Sequence, residues 1–359
     1  MNILVIQQKM IGDVLASTII CKYLKKNNPL VKIYYIVNSN TLPVVLGNPF
    51  VDEIIEFKNE YRESKLSFFQ FLKSLKNYKF DKVIDVYGKL ESNLMSYFTK
   101  APKKISYKKW YTSFIYTETV NEKKLALTNA GLALENRLRL VCDEKDIPKN
   151  IIAPKIYLSE SEILIAKDYL LSNKINLEQP LVMISVLGSE DSKTLPADQM
   201  AQIIDQVVFK TNATILYNYI PSQKKEALQI LNACNEQTKL NTRFDIFGKS
   251  LQEFLVILSH CDGLIGNEGG AVNMAKALGK PTFTVFSPWI IQTGWNMFED
   301  GKTHISVHLE QTQPELYRNK TYADFKKEAK KFYKLYDMDF MLNKLNAFLD
   351  FNLMSYESD

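Results

Sequence analysis

Three short stretches of the chain combine small residues with side chains that could do chemistry. In Gln7-Gln8-Lys9-Met10-Ile11-Gly12-Asp13-Val14, a carboxylate follows a glycine. Glycine lets the backbone turn sharply. Asp13 then reads either as a cap on the helix that starts there or as a general base facing a ligand. One glycine stands where a dinucleotide fingerprint needs three, which counts against a dehydrogenase. In Ser185–Pro196 a small polar loop carries Ser189 and a single lysine, Lys193. Backbone amides, hydroxyls and one ammonium suit a phosphate, although a solvated serine-rich loop reads the same way. In Gly266-Asn267-Glu268-Gly269-Gly270-Ala271-Val272-Asn273, two glycines precede a helix. Free N–H groups and the helix dipole favour an anion there, and Gly269 and Gly270 let a pyrophosphate reach the backbone. The bland alternative is a tight strand-to-helix turn.

Each stretch needs a strand before it and a helix after it. Apolar runs at Ile3–Ile6, Ile33–Val37, Val51–Phe57 and Lys82–Val86 alternate with helical patterns at Val14–Lys26, Leu66–Leu75 and Leu90–Phe98. After a proline-bearing linker, Asp146–Pro154, the alternation restarts. Strands are expected at Leu181–Val186, Thr214–Tyr219, Gly263–Gly266 and Thr282–Phe286. Helices are expected at Pro196–Phe209, Lys224–Cys234 and Ala271–Leu278. Such alternation implies parallel sheets covered on both faces. The expectation is α/β: two Rossmann-like doubly wound domains facing across a cleft. The first spans 1–150 and the second 155–337, with a C-terminal helix at about 338–359 packing back on the first. Ligands in such sheets sit beyond the carboxyl ends of the strands, where all three stretches fall.

Composition narrows the classes. The chain has 359 residues, 46% of them hydrophobic and 24% charged, enough for two ordinary cores. Its net charge of +5 comes mostly from lysine, so sequence-specific nucleic-acid reading, which leans on arginine, is not expected. The four cysteines are not spaced for zinc and read as buried thiols. No targeting or membrane-spanning run is visible, which fits a cytoplasmic protein. Asp337-Met338-Asp339 precedes a helical run and reads as a cap rather than a metal site. His304 and His308 alternate with Ile305 and Val307, as in a strand.

Taken together, the three stretches resemble the bacterial heptosyltransferase family, glycosyltransferase family 9, and the likeness extends along nearly the whole chain. Ile11-Gly12-Asp13-Val14 and Gly47-Asn48-Pro49 are similar to the family's opening pattern, and Lys82–Gly88 to its next conserved strand. Lys193-Thr194-Leu195-Pro196 is similar to its Lys-Arg-Trp-Pro element, with leucine for tryptophan. Gly266–Pro281 matches its glycine-rich signature in length, but Glu268-Gly269-Gly270 and Asn273 replace an Asp-Ser/Thr-Gly and a histidine. The resemblance implies a GT-B architecture and an inverting, metal-independent transfer of heptose or a related sugar. The donor would be a nucleoside diphosphate sugar and the acceptor a lipopolysaccharide core or similar glycan. No metal and no redox cofactor are implied. Asp13 would be the base, with Ser189, Lys193, Glu268, Gly269, Gly270 and Asn273 on the donor. A sugar-nucleotide epimerase or hydrolase of the same architecture, or a non-catalytic nucleotide-sugar-binding homologue, are the alternatives. Gly12 and the basic cluster Lys100, Lys103 and Lys104, with Lys108 and Lys109, would face an acidic glycolipid or glycan acceptor. They would allow peripheral contact with the cytoplasmic face of an inner membrane. A solvated basic face is the plainer reading of that cluster.

Overall fold

The computed structural model describes residues 1–318 and 320–354. It divides into two compact units. The first comprises Met1–Tyr157 with Thr293–Met297, and the second comprises Leu158–Gln292 and the chain from Phe298. The second unit thus begins at Leu158, and the short segment 293–297, expected in the second domain, belongs to the first.

The first unit is built on six parallel strands: β1 (Asn2–Ile6), β2 (Lys32–Asn38), β3 (Glu53–Phe57), β4 (Lys82–Asp85), β5 (Lys103–Tyr107) and β6 (Glu118–Val120). Their order is β3-β2-β1-β4-β5-β6. This is the doubly wound order, whose ligand-binding switch point lies between β1 and β4. The central strands carry unbroken apolar runs because both faces are covered. Ile3, Leu4, Val5 and Ile6 are all solvent-free. The helix Ile11–Asn27 follows β1 and is buried continuously from Val14 to Cys21. It needs this coverage because the helix Leu132–Leu138 packs on it as well as the sheet.

The second unit has five parallel strands: β7 (Leu181–Ser185), β8 (Thr214–Tyr217), β9 (Gly263–Asn267), β10 (Thr282–Val285) and β11 (His304–Val307). Their order is β11-β10-β9-β7-β8, which puts the switch point between β7 and β9. The expected fold class therefore holds for each unit, and all eight expected strands are present.

The C-terminal helix corrects the sequence reading. Met338–Asn352 packs on the second unit, against the helix Ala197–Thr211, and not on the first. Its apolar stripe Met341, Leu345, Phe348 and Leu349 is fully buried in the second core. Gln206 donates to Asn346 at 2.7 Å and Lys210 pairs with Asp350 at 2.9 Å. Amphipathic spacing fixes that a helix buries one face, but not which core receives it. Residues 355–359 of that expectation lie outside the described residues. Asp337 caps this helix, accepting from Phe340 N–H at 3.0 Å. Among the described residues no helix is long and apolar enough to cross a membrane.

Candidate active site

In the first unit the chain leaves β1 through Gln7 and Gln8 and enters its helix at Met10, whose φ of 61° lies in the left-handed region. That helix has no side-chain cap. Asp13, in its first turn, is thus free of the capping role the sequence allowed. Its Oδ1 instead accepts from the Arg137 guanidinium at 2.5 Å. The same guanidinium donates to Ser17 Oγ at 2.9 Å and to the Ala133 carbonyl at 2.7 Å. Ser17 in turn donates to the Asp13 carbonyl at 2.7 Å. Three differently directed bonds leave Arg137 one position, and its side chain is 8% exposed against 25% for Asp13. The pairing engages Oδ1 alone.

Asp13 and Arg137 line a cavity of about 510 Å³ with Tyr87, Lys89, Tyr107, Lys109, Asn136 and Trp295. It opens at the switch point, since Asp13 follows β1 and Tyr87 and Lys89 follow β4. Lys109 is held by the Gly88 carbonyl at 2.7 Å. Gly88 has φ 55°, and a β-carbon there would sit 2.8 Å from the Lys109 ammonium. Burial raises the phenols of Tyr107 and Tyr87, so both are neutral hydrogen-bonding walls.

In the second unit Asn267, the last residue of β9, fastens the loop after β7. Its Nδ2 donates to the Ser185 and Val186 carbonyls at 3.0 and 2.9 Å, and its Oδ1 accepts from Leu195 N–H at 2.8 Å. The strands come so close that a β-carbon on Gly266, at φ 132°, would lie 2.4 Å from the Ser185 carbonyl oxygen. On this framework Lys193 sits 3.1 Å from the Glu268 carboxylate and 5.3 Å from the Trp289 ring. The Glu268 contact is an ion pair rather than a well-formed hydrogen bond, for Oε1 has no hydrogen-bonding partner. Trp289 is fixed by its indole N–H, which donates to the Ser192 carbonyl at 2.9 Å, and its ring also carries Lys326 at 4.2 Å. Gly269 and Gly270 then open the helix Gly270–Ala277, and nothing lies within 4 Å of where a Gly269 β-carbon would be. The turn therefore presents bare backbone at a helix N-terminus, with a lysine beside it, as an anion site requires.

The structure thus groups Lys193, Glu268, Gly269 and Gly270, with Asn273 in the first turn of the following helix. Ser189 stands exposed, four residues before Lys193. Gly12 precedes Asp13 in the first helix. The basic cluster separates. Lys103 pairs in register with Lys82, which is level with Ile3 at the amino end of β1. Lys100, Lys103 and Lys104 therefore lie at the opposite edge of the sheet from Asp13, where Lys103 pairs with Glu118 and Lys104 bonds the Ala101 carbonyl. They are not acceptor-side residues of this cavity. A strand runs through the cluster, so Lys109, past its carboxyl end, reaches the cavity while its neighbours cannot. The sequence reading also missed Arg137, Trp289 and Trp295. Arginine is rare in this chain, and two within an apolar stretch, Arg137 and Arg139, were the available signal.

The two units are parallel doubly wound α/β folds, each with charged groups at its switch point, where ligands of such sheets sit. The family model for glycosyltransferase family 9 (heptosyltransferase) matches residues 68–326, and the chain belongs to that family. It is 22% identical to lipopolysaccharide heptosyltransferase 1 of Campylobacter coli, over 80% of this chain and 84% of the relative. Its fold is shared with a family 9 glycosyl transferase from Veillonella parvula at a TM-score of 0.79, with 15% identity and 97% of each chain covered. It is also shared with ADP-heptose lipopolysaccharide heptosyltransferase II of E. coli at a TM-score of 0.71, with 18% identity, covering 93% of this chain and 99% of that one.

Proposed function

We propose that this glycosyltransferase moves heptose or a related sugar from a nucleoside diphosphate sugar to a lipopolysaccharide-core or similar glycan hydroxyl, with inversion and without a metal. The observation that carries this reading is Asp13. Its carboxylate lines a cavity at a switch point, and an arginine bonded through each of its three nitrogens fixes it through one oxygen only. In the proposed step Asp13 takes the proton of the acceptor hydroxyl. That oxygen bonds to the anomeric carbon as the carbon–oxygen bond to the diphosphate breaks, and the electron pair leaves with the nucleoside diphosphate. Lys193 and the bare amides at Gly269 and Gly270 offset the charge that develops on the leaving group. Glu268 holds Lys193 in place until a phosphate competes for it. Two of these relatives are named as lipopolysaccharide heptosyltransferases, one of them with ADP-heptose, which supports the same class of donor and acceptor here.

The test is calorimetric titration of the whole protein with ADP, GDP, UDP and CMP in the presence of EDTA. Selective binding of one nucleoside diphosphate supports a metal-independent donor site and narrows the sugar to that nucleotide's conjugates. Binding that appears only when a divalent cation is restored would overturn the metal-free scheme. Product release from the donor with no acceptor present would favour the hydrolase alternative.

A further inference from the structure

The carboxyl edge of the first sheet carries a group of exposed apolar side chains. The loop after β5 presents Trp110 and Phe114 at 91% and 85% exposure, and Leu90, after β4, is 74% exposed. The loop is not loosely extended. Thr112 N–H and Ser113 Oγ both donate to the Lys109 carbonyl, at 3.1 and 2.7 Å, and Ile115 N–H donates to the Thr112 carbonyl at 3.0 Å. Its far end is anchored by buried Tyr116, whose hydroxyl donates to Asp85 Oδ2 at 2.6 Å. A tied turn therefore holds two large aromatic side chains out in water, Trp110 touching Tyr111 edge-on but left 91% exposed. The exposed lysines Lys89 and Lys108 follow the same strand ends, after β4 and β5. Of the acids along this edge, Asp13 and Glu91 are paired with Arg137 and Arg62. Among the described residues, Glu122 has no ion pair there.

We propose that this edge docks on an anionic lipid surface, with Trp110 and Phe114 entering the headgroup layer and the lysines facing its phosphates. The features are a protruding tip rather than a groove, aromatic rings suited to an apolar–polar boundary, and cations interleaved with them. Docking there would bring a lipid-anchored hydroxyl to the mouth of the Asp13 cavity, which opens at the same edge. That purpose, though not the binding itself, rests on the transferase reading above.

The test is sedimentation of the full-length protein with vesicles of phosphatidylcholine alone or of equal parts phosphatidylcholine and phosphatidylglycerol. The protein is expected to partition onto the anionic vesicles, and less so as salt rises. The double variant Trp110→Ser, Phe114→Ser should lower that partitioning about ten-fold or more, with its melting temperature and ADP affinity unchanged. Tryptophan emission should shift to the blue with vesicles in the parent and not in Trp110→Phe, which retains binding and keeps Trp289 and Trp295 as silent controls. Equal binding by the double variant, equal binding to neutral vesicles, or self-association through this edge in place of vesicle binding would each overturn the proposal. ADP binding is read separately, so loss of the donor reading would leave the vesicle result interpretable.

Discussion

Asp13 is held from one side only, and that separates two roles that substitution can tell apart. Asp13→Asn keeps the size of the side chain but removes its basicity. It is expected to lower kcat about 100-fold or more and to leave ADP affinity unchanged; unaltered turnover would remove Asp13 as the base. Arg137→Lys keeps the charge but replaces a planar fork with a single ammonium, which cannot reach Asp13, Ser17 and the Ala133 carbonyl together. A fall in kcat of about ten-fold with no change in ADP affinity is expected, because the carboxylate is left less well oriented. Wild-type kcat in this variant would mean the arginine serves packing alone. Lys193→Ala addresses the other unit. It should weaken ADP binding by about ten-fold, or ~1.4 kcal/mol, and equal affinity by calorimetry would take Lys193 out of the donor site.

Among the elements, the C-terminal helix gives the sharpest stability prediction. Phe348 is fully buried in the second core with its ring 6.0 Å from that of Phe283. Phe348→Ala should cost about 3–5 kcal/mol, measured by denaturant unfolding. A cost below about 1 kcal/mol would mean the helix is not part of that core. Which core it joins was not legible in the sequence, since a Met341–Leu345–Phe348–Leu349 stripe fits any apolar surface. The strands were legible because buried parallel strands are continuous apolar runs, as in Ile3–Ile6. The strand Lys103–Tyr107 is hard to read because it opens with two lysines at the amino end of the sheet, which suit a solvated face or a ligand surface equally well. The places of Asp13, Lys193 and Gly269-Gly270 in the fold were legible because each lies between a strand and the helix after it, or in that helix's first turn. Arg137 was not, since it comes from a helix 124 residues beyond its partner and no local pattern joins them.

For the whole molecule, one contribution to pH dependence comes from a buried imidazole, and half-buried His304 adds a second of the same sign. His308 is solvent-free, its Nδ1 accepts from Glu310 N–H at 3.2 Å, and burial lowers its pKa from 6.5 to about 4. The neutral form is therefore the folded form. As pH falls from about 6.5 toward 4 the unfolded chain takes up a proton that the folded chain refuses, and stability is lost through that window by about 3 kcal/mol. Unfolding free energies at pH 7.5 and 4.5 test this, and His308→Gln should flatten part of the difference. An unchanged slope in that variant would assign the acid sensitivity elsewhere. The strand order carries a consequence for synthesis. β1 lies between β2 and β4, yet about 47 residues separate the end of β2 from the end of β4. At ribosomal rates of roughly 5–20 residues per second, one flank of β1 stays unpaired for about 2–10 s while its helix is already made. β7 waits in the same way between β8 and β9. An apolar strand with an open flank is a template for a second nascent chain, so slower initiation or lower temperature should raise the yield of native protein more than any change to the finished surface.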